Sequence, residues 1–190
     1  MDLIPTGSQT VGPFFHLVLT GPITVSRIAG PGAKGERVKL ICRVLDGEGN
    51  PIPDAMLEVW QANAYGKYHH PDDTQEKPID PEFLGHGRAG TEEGGACEFE
   101  TIRPGRVPGG NGSLQAPHLN VSVFARGVLK RLATRVYFAG DPANSEDPVL
   151  ALVPQDRRDC LMALPDPNQA GAWRIDIHLC GDHETVFFDV

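Results

Sequence analysis

The sequence lacks the features of exported, membrane-spanning and nucleic-acid-binding proteins. Its first residues, MDLIPTGSQTVGPFF, have neither the basic start nor the apolar run of a secretory signal. No apolar stretch is long enough to cross a bilayer, and we therefore expect a cytoplasmic protein. An excess of positive charge is also missing: the net charge is −8, with the acids dispersed. This charge argues against nucleic acid or an anionic membrane as the main partner.

Common catalytic motifs are missing as well. The sequence has no G-x-S-x-G nucleophile turn and no H-E-x-x-H zinc motif. The glycine-rich run at 105–112 opens no predicted helix, which disfavours a phosphate site. The four cysteines (Cys42, Cys97, Cys160 and Cys180) are widely spaced without a C-x-x-C pair. In a reducing compartment this spacing predicts buried thiols in place of disulfides or a zinc site.

What the sequence does contain is a series of short segments in which apolar and polar residues alternate, as in strands. Gly 22 and Pro 17 among 190 residues supply many turns between them. We predict an all-β fold: a two-sheet, mostly antiparallel β-sandwich with long loops, short helices at 144–152 and 154–164, and a single domain over 1–190. The predicted strands are 37–45, 56–61, 97–102, 119–125, 132–138, 173–179 and 185–188.

Two long loops and an N-terminal arm are expected to carry function. The loops run over 63–91 and 104–117, and both end beside predicted strands, so both could line a site at one edge of the sandwich. The arm, residues 1–24, contains Phe14, Phe15 and Leu17 without obvious local pairing. We expect this arm to pack on a partner subunit.

Metal binding is the first chemistry to consider near these loops. Tyr68, His69, His70 and His118 are the available ligands, but neighbouring histidines rarely bind one ion together. His118 and Asn120 are two residues apart on a predicted strand and so point to one face, where a His-x-His pair could hold a metal. This chain has His-x-Asn, and spacing alone favours an ordinary strand.

Several separated motifs resemble those of the intradiol ring-cleaving dioxygenases, in the same order. They are LEVWQANAYGKY at 57–68, DPEFLGHGR at 80–88, TIRPG at 101–105 and APHLNVSVFARG at 116–127. SQTVGPFF near the start and HETVFFDV at the end are similar to the α subunit of the branch that cleaves protocatechuate with two homologous subunits, α and β. The resemblance covers nearly the whole chain.

The resemblance implies a ferric ion held by two tyrosinates and two histidines, a donor set that suits Fe(III). The family's ligand positions fall on Tyr68, Val107, His118 and Asn120, so one tyrosine and one histidine are replaced. The family's arginine three residues before the first histidine falls on Gln115. We call the four ligand positions the vestigial metal positions, because this chain is expected to bind no metal and to have no catalytic residue of its own.

In the family, the α subunit supplies part of the wall of a cleft shared with β. The resemblance assigns substrate contact to Thr10, Gly12 and Pro13 of the arm and to Arg126, whose cation can pair with a substrate carboxylate. Arg126 lies eight residues beyond His118, roughly 26 Å along a strand, so the two are expected in different pockets.

The implied function is that of the α subunit that binds no iron, with Fe(III) in a homologous β partner and αβ units in a larger oligomer. The complex would cleave protocatechuate with O2 to 3-carboxy-cis,cis-muconate, a step of aromatic catabolism in the β-ketoadipate pathway. Two alternatives are an iron-bearing intradiol dioxygenase with altered ligands and a non-catalytic β-sandwich binding module.

Overall fold

A computed structural model describes residues 7–21 and 23–190. The first six residues of the predicted arm and Pro22 lie outside the described residues. The described part contains eight strands and a few short helical turns. The strands are β1 (Arg37–Leu45), β2 (Met56–Trp60), β3 (His86–Gly90), β4 (Ala96–Ile102), β5 (His118–Phe124), β6 (Leu132–Phe138), β7 (Met162–Pro165) and β8 (Ala172–His178).

The strands form one ordered series, β3-β2-β5-β6-β7-β8-β1-β4. Neighbours are antiparallel except for β1 with β8 and β6 with β7, which are parallel. Backbone residues 25–29 join the two edge strands: the N–H of Val25 donates to Arg88 on β3, and the N–H of Ile28 donates to Glu100 on β4, each at 2.8 Å. The mixed sheet is therefore nearly closed into a barrel.

Side-chain alternation places the core inside this nearly closed sheet. In β5, Leu119, Val121 and Val123 are buried, whereas Asn120 and Ser122 between them are half-buried on the outer face. The inward residues of all eight strands contribute to the buried interior, as the two-residue period requires.

The all-β prediction is confirmed, but the two-sheet sandwich is not. Six of the seven predicted strands match observed strands to within one residue at each end, and 162–165 and 86–90 form two strands that we did not predict. The segment 185–188 makes only one bridge, in which the N–H of Phe188 donates to Ala133 at 2.7 Å. Parallel pairing of β8 with β1 depends on distant segments, so local patterns do not reveal it.

Both helix predictions need correction. The region 144–152 contains two short 3₁₀ helices, Pro142–Glu146 and Leu150–Leu152. The region 154–164 is a 3₁₀ helix over Gln155–Leu161 followed at once by β7. Residues 162–164 are extended and not helical, because there they form backbone hydrogen bonds with the neighbouring strands β6 and β8.

The two long loops lie against each other, as predicted for loops at one edge. The ammonium of Lys77 donates to the carbonyls of Gly66 at 3.0 Å and Arg106 at 3.2 Å, one from each loop. The N–H of Gly105 donates to the carbonyl of Asn63 at 2.9 Å. These bonds hold Tyr68 and Val107, one from each loop, in the same region of the molecule.

The cysteines are unpaired, but only two are buried. Cys42 and Cys97 face each other across β1 and β4 inside the core. Cys160 is half-buried and Cys180 is exposed, so the prediction that all four are buried is wrong for these two. Within the described residues, no helix is both long enough and apolar enough to span a membrane.

Candidate functional site

The end of β5 and the start of β2 meet at a cavity covered by the arm. Antiparallel register pairs Met56 with Phe124, which brings Asp54 opposite Arg126 just beyond the paired ends. A cavity of about 400 Å³ lies there, and we call it the arm cavity. Its lining residues are Val11, Gly12, Pro13, Phe15, Asp54 and Arg126.

The arm is held over this cavity by specific contacts. The N–H of Gly127 donates to the hydroxyl of Thr10 at 2.6 Å, and Phe15 is buried. Gly127 has a φ of 85°, a conformation that favours glycine and lets the chain turn directly after Arg126. The four residues assigned to substrate contact therefore come together: Gly12, Pro13 and Arg126 line the cavity, and Thr10 anchors the arm beside it. That they contact a substrate remains a prediction.

Arg126 presents its charge at the mouth of the arm cavity. Its side chain is 77% exposed, and its Nη2 lies 3.0 Å from Oδ2 of Asp54. One carboxylate contact leaves part of the planar guanidinium free, which is the geometry needed to bind a second carboxylate. Next to Gly12 there is open space where a side chain would extend.

The vestigial metal positions lie elsewhere, and none of them lines the arm cavity, as the separation of His118 from Arg126 predicts. Tyr68 stacks on Trp60 with ring centroids 5.8 Å apart and nearly parallel planes. Burial raises the pKa of the Tyr68 phenol, against a smaller lowering by its hydrogen bond with the Asn120 side chain. Tyr68 is thus a protonated, hydrogen-bonded loop residue.

His118 begins β5 and is buried. Its Nδ1 lies 2.8 Å from the carbonyl of Ala116, and because a carbonyl only accepts, we assign the imidazole proton to Nδ1. Burial, followed by the positive charge of Arg135, lowers the pKa of His118 to about 4. The ring is therefore neutral near neutral pH.

Arg135 is the residue of this region that sequence reasoning missed. It faces Asn120 across β5 and β6, and its Nη1 donates to Oε1 of Gln115 at 2.7 Å. Its charge also acts on the Tyr68 phenol and the His118 imidazole. Alternation along β6 places Arg135 on the outer face, but only the strand register shows which residues it meets.

These residues do not fit a ferric ion. Val107 is buried and offers no donor atom, and the phenol of Tyr68 is hydrogen-bonded to the Asn120 side chain, a neutral amide where the family has a histidine. The guanidinium of Arg135 acts on the remaining candidates and would repel a trivalent cation. Among the described residues, no three histidine, cysteine or acidic side chains cluster as a metal site. We therefore derive no chemical step through iron in this chain.

Comparison with known proteins places the chain in a family. The model of a family described as dioxygenase matches residues 20–181. The protocatechuate 3,4-dioxygenase alpha chain of Burkholderia cepacia is 41% identical over 198 residues, covering 97% of each chain. The beta chain from the same organism is 38% identical over 186 residues, covering 94% of this chain and 77% of that one.

A solved structure shares the fold. The dioxygenase domain of a dioxygenase and carbohydrate-binding fusion from Streptomyces sp. SirexAA-E superposes with a TM-score of 0.63 at 24% identity, covering 94% of this chain and 99% of that one. The motifs, the strand order around them and the curated relatives agree. The chain belongs to the family of intradiol ring-cleavage dioxygenases.

Proposed function

We propose that this chain is the α-type subunit, without iron, of an enzyme that cleaves protocatechuate with O2 to 3-carboxy-cis,cis-muconate. The observation that carries the proposal is the meeting of Gly12, Pro13 and Arg126 at one cavity, with Thr10 anchoring the arm above it. The relatives named as alpha chains, similar over nearly their whole length, support the same function. The reaction belongs to aromatic catabolism, in the β-ketoadipate pathway.

The partner in this proposal is a homologous β subunit that holds the Fe(III), which would supply the oxygen chemistry. The arm carries exposed apolar side chains, with Phe14 at 78% and Leu17 at 67% exposure, as an unfilled interface would. We propose that residues 1–24 pack on β, that 1–190 form one domain, and that αβ units assemble further. We also propose that this chain is located in the cytoplasm, because its free cysteines are typical of a reducing compartment.

Arg126→Ala in the reassembled αβ complex tests the site. Losing an exposed charge-assisted hydrogen bond to the substrate carboxylate should raise KM for protocatechuate by about tenfold. Iron content and kcat should stay unchanged, because Arg126 holds neither the metal nor the reacting atoms. The control is Arg131→Ala, which removes another exposed arginine of the same β5–β6 connection. Kinetics equal to those of the control would overturn the assignment.

Iron analysis tests the division between subunits. The purified chain should hold far less than one iron per chain and lack the visible colour of tyrosinate bound to iron. Stoichiometric iron with that colour would establish the iron-bearing alternative. Coexpression with the β homologue should yield a tight complex with equal numbers of the two chains. A chain that stays monomeric in the presence of β would favour the alternative of a non-catalytic binding module.

A further inference from the structure

Asp54 is a cavity residue to which neither the motifs nor the family positions assign a role. It stands two residues before β2, opposite Arg126 by register, and the two side chains form an ion pair at 3.0 Å. The other lining residues of the arm cavity carry no charge. Among the described residues, the pair is thus the whole charged content of the cavity lining.

The pairing has two opposite consequences for an anionic ligand. Asp54 holds one nitrogen of the Arg126 guanidinium at the cavity mouth through a single ion-pair contact. It also adds a negative charge within contact distance of the cation, which reduces the attraction felt by any second carboxylate. Because Arg126 is largely exposed, solvent screens both effects and the net change is modest.

We propose that Asp54 sets the carboxylate affinity of the arm cavity by offsetting the charge of Arg126. This inference rests on the proposed function. Cleavage between the two hydroxyl-bearing carbons converts both into carboxylates, so the ligand gains negative charge during the reaction. A bare guanidinium would hold that product more tightly than the substrate, and Asp54 counteracts this retention. Asp54 is therefore a specificity-determining residue that acts through Arg126.

The test is Asp54→Asn in the αβ complex, because the amide keeps an oxygen acceptor for Arg126 but removes the charge. Two substrate analogues of similar shape, para-hydroxybenzoate and the neutral para-hydroxybenzamide, are titrated as inhibitors to separate charge from packing. The variant should bind the benzoate about twofold to fivefold more tightly and the amide unchanged. Product inhibition should strengthen, and added salt should diminish both effects.

Two controls keep the result interpretable. Asp176→Asn removes the acid of an exposed ion pair with Arg43 on β8 and β1, and it should leave both inhibitors unaffected. In an Arg126→Ala background, Asp54→Asn should lose its effect on the benzoate, since the two residues act as one unit.

Failure of this inference differs from failure of the proposed function. If Arg126→Ala weakens the benzoate but Asp54→Asn leaves it unchanged or weakens it, the role of Asp54 is wrong and the site stands. If Asp54→Asn shifts both inhibitors equally, the effect is one of packing and the inference is also wrong. If Arg126→Ala changes neither inhibitor, the substrate role of Arg126 fails, and the inference fails with it.

Discussion

Acidification should destabilise this chain through His118, and the effect tests whether packing in the vestigial metal region keeps a second proton off its imidazole. The ring is buried against Tyr137, with centroids 5.7 Å apart, and its Nδ1–H is bonded to the carbonyl of Ala116. Adding a second proton would charge Nε2 in a region that already feels the cation of Arg135. Asp147 opposes this only weakly, as the smallest contribution.

The direction and size of this change in unfolding free energy follow from the pKa values of His118 in the folded and the unfolded chain. The pKa of His118 is about 4 in the folded chain against 6.5 for an unperturbed histidine, so between these values the unfolded chain binds more protons. Stability contributed by neutral His118 is present above about pH 6.5 and is lost as the pH falls toward 4. The full difference corresponds to about 3 kcal/mol of unfolding free energy.

Denaturant unfolding at a series of pH values measures this loss. His118→Gln cannot be protonated, and its amide can still donate to the Ala116 carbonyl. Wild-type chain should lose roughly 2 to 3 kcal/mol more than this variant between about pH 7 and about pH 4.5. His70→Gln, which removes a solvent-exposed imidazole, is the control and should follow the wild-type slope. Parallel curves for wild type and His118→Gln would refute the reasoning.

Two further predictions concern the core and the metal region. Gln61→Leu should lower the unfolding free energy by about 1 to 3 kcal/mol in denaturant melts, because it leaves the buried hydroxyl of Thr101 without its acceptor. An unchanged denaturant concentration at the unfolding midpoint would contradict this. The double variant Val107→Tyr and Asn120→His, which restores both ligands, should hold no stoichiometric iron by metal analysis, because the guanidinium of Arg135 repels the ion. Iron should bind only when Arg135 is also replaced by leucine. Iron bound in the double variant would show that Arg135 is no obstacle.

How much could be predicted differs between the fold and the site. Strands such as Arg37–Leu45 and Leu132–Phe138 were predictable because alternation reports one buried face. The order of the strands was not, since β8 joins β1 from the far end of the sequence. Three of the four residues of β7, 162–164, were mistaken for helix because a short strand carries too few alternations to outweigh a helical pattern before it.

In the site, motif resemblance located single positions but not their neighbours. Arg126 and Thr10 were named from motifs, and the structure joins their segments by the Gly127 bond. Asp54 and Arg135 were missed because each interacts with a residue of a neighbouring strand, and the register that pairs two strands cannot be deduced from the sequence of either one. The signal available in the sequence was weak: an acid just before one strand and an arginine on the outer face of another.

In the proposed subunit without iron, the vestigial metal positions are occupied by hydrogen bonds between protein groups. At the vestigial metal positions the phenol of Tyr68 is bonded to the side chain of Asn120, and the imidazole of His118 is bonded to the carbonyl of Ala116. Arg135 supplies positive charge where a metal ion would have supplied it and is itself bonded to Gln115. Because these groups satisfy one another, restoring a histidine at Asn120 breaks the bond to Tyr68 before it creates a metal site. The region is therefore stable as a structural element, and the proposed function places substrate binding outside it, at Arg126.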